Sequence, residues 1–155
     1  MKRLWLQFYF KYLRRSERPH GDVVTRMRLI RSVLFIALKR EQANVAVVLD
    51  FKNRYKHLEI HEFYYEDLPV DKMGKGYALK AETIDALNHL KADLLVNLSD
   101  NREITWEYAI SKLDIDINIA LYESHNIVYD LVLKDSSNGE LNTFFMGVMK
   151  RLLPA

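Results

Sequence analysis

Short, unbroken apolar runs recur along this 155-residue chain at intervals that leave room for a helix between them, and this alternation constrains its fold most tightly. Ser32-Val33-Leu34-Phe35-Ile36-Ala37-Leu38 has the length of a strand and no polar residue after its first. That is the pattern of a strand buried on both faces, as in a parallel sheet covered by helices. Asp93-Leu94-Leu95-Val96-Asn97-Leu98 repeats it, and Asp116 to Leu121 and Tyr129 to Leu133 read as two further strands. Residues 57–64 alternate instead, with Leu58, Ile60 and Phe63 set among His57, Glu59, His61 and Glu62. This marks a more exposed strand.

The segments between these strands fit helices. Residues 40–54 contain the β-prone Val45-Ala46-Val47-Val48-Leu49, yet Val45, Val48, Leu49 and Lys52 also form one helical stripe. A crossover is needed before the next parallel strand, so the segment is expected to be helical. Ala81 to Lys91 carries Ile84, Leu87 and Leu90 at helical spacing. Ser99-Asp100-Asn101 reads as a helix-start turn before a helix over Ile104 to Leu113, and Leu141 to Leu153 closes the chain as a helix. Strands alternating with helices predict a single three-layer α/β domain with a mainly parallel sheet of about five strands.

Ahead of this domain, residues 4–15 read as a helix. Trp5, Leu6, Phe8, Tyr9, Phe10, Tyr12 and Leu13 share one arc, while Arg3, Gln7, Lys11, Arg14, Arg15 and Arg18 share the other. The stretch Arg18-Pro19-His20-Gly21-Asp22 is the linker-like punctuation. The organisation is therefore a basic amphipathic helix over residues 1–18 and an α/β domain over 19–155, one domain overall, without internal repeats.

Charge sharpens this division. Residues 1–40 hold eleven Lys and Arg against Glu17 and Asp22, an excess of nine positive charges within a net charge of only +2. An aromatic arc beside a basic arc suits an anionic membrane surface or a protein partner, with Lys11, Arg14, Arg15 and Arg18 as the contact residues. The same arc also suits packing on the sheet or on a second subunit, so a homodimer is a further reading. Nucleic acid is disfavoured, because a single-strand binder places aromatics and bases on one surface.

The chain has no cysteine, which removes disulfides and thiolate chemistry. No apolar run reaches the length of a membrane span. Lys2 and Arg3 precede Leu4-Trp5-Leu6, but Gln7 and Lys11 interrupt a signal-peptide core. The expected location is cytoplasmic, with peripheral association at the inner face of the membrane as the consequence of the docking reading.

Conventional motifs fail on their spacing. Ser99 lacks the glycines of a nucleophile elbow. His57 and His61 lie in a strand, where four residues span roughly 13 Å, too far to share one ion. Asp114, Asp116 and Asn118 open like a calcium loop, but Ile119 and His125 stand where glycine and glutamate are required. Gly74-Lys75-Gly76 has no strand-then-helix setting and reads as a local turn. No cofactor, metal or catalytic residue is expected. In open parallel sheets ligands bind beyond the carboxyl ends of the strands. Lys39-Arg40-Glu41, Ser99 to Glu103 and Tyr122 to His125 should gather there, with Asp100, Asn101, Glu103, Glu123 and His125 as the polar lining for a nucleotide or sugar phosphate.

The basic N-terminal helix, the Ser32–Leu38 strand, the central Ala92-Asp93-Leu94-Leu95-Val96-Asn97-Leu98 and the late Tyr129-Asp130-Leu131-Val132-Leu133 carry a resemblance. Together they resemble a family of small bacterial proteins of uncharacterised function. Between the late strands this chain has Ile119-Ala120-Leu121-Tyr122, where relatives tend to carry a basic or glycine-containing stretch. The resemblance implies a Rossmann-like or flavodoxin-like sheet and brings no activity or catalytic residues with it.

Overall fold

The computed structural model describes residues 23–100, 103–122, 124, 129–133 and 141–154. The helix expected over residues 4–15, with Lys11, Arg14, Arg15 and Arg18, lies outside the described residues, as do Asn101, Glu123 and His125.

A short helix α1 (Val23–Met27) leads into strand β1 (Ser32–Ala37), helix α2 (Gln42–Arg54) and strand β2 (Glu59–Tyr64). Three single 3-10 turns follow, at Tyr65–Asp67, Val70–Lys72 and Lys75–Tyr77. Then come α3 (Ala81–His89), β3 (Leu94–Asn97), α4 (Ile104–Ser111), β4 (Ile117–Ala120), β5 (Leu131–Val132) and α5 (Leu141–Leu152). The five strands form one sheet in the order β2-β1-β3-β4-β5. Every pairing is parallel. This is the doubly wound order 2-1-3-4-5. Among the described residues no helix is long and apolar enough to cross a membrane.

The apolar runs occupy the middle of this sheet. All residues of β1, β3 and β4 are buried, whereas β2 at the edge is mostly half-exposed and β5 is half-buried. Because side chains alternate along a strand, one run feeds two cores. Val33, Phe35, Leu94, Val96, Ile117 and Ile119 face α1, α2 and α5, meeting Met27, Val47, Phe51, Phe145 and Met149. Leu34, Ile36 and Leu95 face α3 and α4, meeting Leu87, Trp106, Ala109 and Ile110. The first core is pinned by aromatic contacts. Phe35 stands edge-on to Phe51 at 5.2 Å and to Phe145 at 6.2 Å. The three-layer α/β expectation thus holds, and the segment at Val45–Leu49 is helical because Asn44, Val47, Val48 and Phe51 bury one face on the sheet.

The strand starts are fastened by aspartates. Asp93, just before β3, accepts hydrogen bonds from the Arg31 and Ser32 amides at the head of β1 (2.8 and 3.2 Å). Asp130, just before β5, accepts from the Asn118 amide of β4 at 2.8 Å. Arg26 of α1 pairs with Asp116 at 2.9 Å and reaches Asp130 at 3.7 Å, tying α1 to this edge.

Two expectations need correction. Helix α4 begins at Ile104, as expected, but its cap does not lie in the Ser99-Asp100-Asn101 turn. Its N-cap is Glu103, with no side-chain capping bond, and the Ser99 amide donates instead to Asn97 Oδ1 at 3.0 Å. The second strand begins at Glu59, so His57 sits in the preceding turn, while His61 lies 3.1 Å from Glu59.

Candidate functional site

In the order β2-β1-β3, the chain leaves β1 toward one side for β2 and returns on the other side for β3. The loops after β1 and β3 therefore diverge, opening a crevice at the carboxyl ends of these two strands. A cleft of about 330 Å³ lies there. Leu38 and Lys39 after β1 form one wall, and Leu98, Ser99 and Asp100 after β3 form another. The entry of α2 adds Glu41, Ala43 and Asn44, and Tyr77 and Tyr122 supply two aromatic rings.

Each of these groups has a structural reason to be where it is. Asn44 is buried and donates from Nδ2 to the Lys39 carbonyl at 3.3 Å, which holds the first turn of α2 against the end of β1. Glu41 is the N-cap of the 13-residue α2 but makes no side-chain bond to its amides. The first-turn N–H groups, with the positive end of the helix dipole, thus stand at the rim of the cleft. At the other strand, Asn97 is buried. It accepts from the Ser99 amide and donates to the Tyr129 hydroxyl at 2.9 Å, which sets the path of the chain toward Asp100.

Tyr77 reaches the cleft from the long segment between β2 and α3. That segment is folded by its own contacts. The Tyr65 hydroxyl donates to the Gly74 carbonyl at 2.8 Å, the Gly74 amide donates to Ala78 O at 3.0 Å, and Met73 bridges Leu79. A Cβ on Gly74 would lie 2.3 Å from Ala78 O, so the turn admits no side chain there. Gly76 at φ 56° and Tyr77 at φ 64° are both left-handed. For a bulky aromatic residue this conformation costs about 1–3 kcal/mol and persists only where the surroundings enforce it. Here the Thr105 hydroxyl of α4 donates to the Gly76 carbonyl, and the Tyr65 ring meets the Tyr77 ring edge-on at 5.6 Å.

Of the expected lining residues, Asp100 lies in the cleft wall together with Lys39, Glu41, Ser99 and Tyr122 from the three expected segments. Glu103 does not line it. Its carboxylate lies against the Gly74–Tyr77 turn, 2.8 Å from the Thr105 hydroxyl and where a Cβ on Gly76 would fall. Arg40 also turns away, pairing with Asp67 at 2.7 Å and stacking over Tyr64 at 4.3 Å. Sequence reasoning missed Tyr77 and Asn44. Gly74-Lys75-Gly76, read only as a turn, was the signal for the first.

Glu107, in the first turn of α4, is buried and accepts from Ser124 Oγ at 2.5 Å. Among the described residues no group of three or more histidines or carboxylates is arranged to hold a metal ion. A second, more open groove of about 390 Å³ lies between α2 and α5, bordered by Asp50, Arg54, Asn142 and Lys150, away from the strand ends. The chain matches no family model, no curated protein and no solved structure.

Proposed function

We propose that this domain binds a small phosphorylated metabolite, a nucleotide or a sugar phosphate, in the crevice beyond β1 and β3. The observation that carries this reading is the position of the cleft, at the point where the strand order reverses and between the carboxyl ends of two buried strands. Its chemistry is consistent. Lys39 and the uncapped amides of α2 favour an anionic group. Asp100, Ser99 and Glu41 supply acceptors and a hydroxyl for a polyhydroxylated body, and Leu38 and Leu98 give an apolar floor.

Calorimetric titration with ribose 5-phosphate, glucose 6-phosphate and the nucleoside monophosphates tests the proposal. Saturable binding by one of them, weakened about tenfold or more by Lys39→Glu and altered by Asp100→Ala, is the expected result. No binding by any member, or binding indifferent to both substitutions, refutes it.

A second reading is that residues 1–18 dock the domain on an anionic membrane surface, at the inner face of the membrane in a cytoplasmic protein. It is favoured by the nine excess positive charges of residues 1–40 and the aromatic arc beside them. The resemblance to small bacterial α/β proteins accords with either reading and selects neither.

A further inference from the structure

The geometry points to Tyr77 as a stacking platform for a planar aromatic ring, which narrows the ligand of the cleft to a nucleotide. This inference rests on the cleft reading above and adds the chemical class of the group that the cleft recognises.

Three rings climb from the core to the cleft. Trp106 of α4 is fully buried. Tyr65 stands edge-on to it, with centroids 6.0 Å apart and planes at 84°. Tyr77 stands edge-on to Tyr65, with centroids 5.6 Å apart and planes at 72°. Exposure rises along this ladder, and Tyr77 is 39% exposed where it lines the cleft. Edge-to-face contacts fix ring orientation, so the last ring is held by the first.

The backbone carries the same message. An aromatic residue kept left-handed at φ 64°, directly after a left-handed Gly76, runs against its backbone preference and is held there in part by the Tyr65 ring. Its ring is nonetheless anchored beneath and open above. A second ring, Tyr122 just beyond β4, lines the same space and is 41% exposed. Two exposed tyrosines in one polar cleft match a ligand with a flat π-face and a hydrophilic remainder. A nucleobase carrying a ribose phosphate has both, whereas a sugar phosphate has no π-face and offers the rings only its C–H groups.

The test is calorimetric titration of the full chain with AMP, GMP, CMP and UMP, using ribose 5-phosphate as the probe without a ring. At least one nucleotide is expected to bind about tenfold or more tightly than ribose 5-phosphate. Tyr77→Ala should lower that nucleotide's affinity about 5- to 150-fold, as removal of a stacking partner does, and leave ribose 5-phosphate unchanged. Tyr77→Phe and Tyr77→Trp should retain the preference. Tyr122→Ala, outside the strained turn, should also weaken the nucleotide selectively, and it carries the test if Tyr77→Ala fails to fold. Equal binding of nucleotides and ribose 5-phosphate, or loss of both alike in Tyr77→Ala, overturns the stacking role while the cleft still binds phosphate. Binding by neither class overturns the cleft reading and this inference together.

Discussion

Replacing Asp93 with alanine removes two hydrogen bonds that fasten the head of β1 to β3, and their unequal burial sets the cost. The Arg31 amide, 2.8 Å from Asp93 Oδ2, belongs to an exposed residue and regains a partner from water. The Ser32 amide, at 3.2 Å, belongs to a residue only 6% exposed, where water does not readily follow. The first loss costs a few tenths of a kcal/mol to about 1, and the second the desolvation of a stranded donor, about 1–3 kcal/mol. Together the expected loss is about 1–4 kcal/mol, a fall in the melting temperature of about 2–16 °C for a chain of this length. Asp93→Asn keeps one acceptor oxygen near the same place and should cost less than half as much. Urea unfolding monitored by circular dichroism measures both variants, and the slope of the transition should stay at the wild-type value. An alanine variant within about 0.5 kcal/mol of wild type refutes the reasoning. So does an asparagine variant as damaged as alanine, because charge and not hydrogen-bond geometry would then be at work.

Two further outcomes follow from features away from the cleft. Burial, reinforced by the charge of Glu62 and partly offset by Arg40, pushes the Tyr64 phenol up to about 12. The folded state therefore holds this proton more tightly than the unfolded chain, whose tyrosines titrate near 10. The associated stability is complete below pH ~10 and disappears as the pH rises toward ~12. Tyr64→Phe should remove one of the high-pH steps of an ultraviolet tyrosinate titration and flatten the stability loss in that window; an unchanged titration contradicts the assignment. Reversing Lys11, Arg14, Arg15 and Arg18 to Glu should abolish co-sedimentation with anionic liposomes at low salt and leave the melting temperature within a few degrees. Unaltered sedimentation sinks the docking proposal.

The fold was legible because its three inner strands are buried on both faces. Continuous runs such as Val33–Ala37 and Leu94–Val96 have few other uses in a chain with spaced helical segments. The motif Asp93-Leu94-Leu95-Val96-Asn97 was visible, but the work of its polar ends was not. Asp93 binds β1 amides and Asn97 shapes the exit toward Asp100, and both depend on partners distant in sequence. Strand β5 shrank to Leu131–Val132 at the sheet edge, where hydrophobic pattern is weakest. Helix capping was misplaced because Ser, Asp and Asn mark turns of several kinds, and here Asn97 captures the Ser99 amide first. The cleft was partly foreseen, since topology alone brings Lys39, Asp100 and Tyr122 to the strand ends. Tyr77 was signalled only by the neighbouring Gly74-Lys75-Gly76 turn. Its segment follows neither helical nor strand periodicity, and a left-handed tyrosine runs against its own backbone preference.

The order of the strands also fixes a schedule for synthesis. β1 is buried along its whole length, yet both of its neighbours come later in the chain, β2 first and then β3. Val33 meets Leu94 about sixty residues downstream. At ribosomal speeds of about 5–20 residues per second, the Ser32–Ala37 stretch waits about three to twelve seconds for its second partner. During that interval a nascent chain offers one unpaired edge of its most apolar segment to any passing strand. The fold's first buried strand is therefore also its chief exposure to misassembly, and the interval is when a holding chaperone has something to grip.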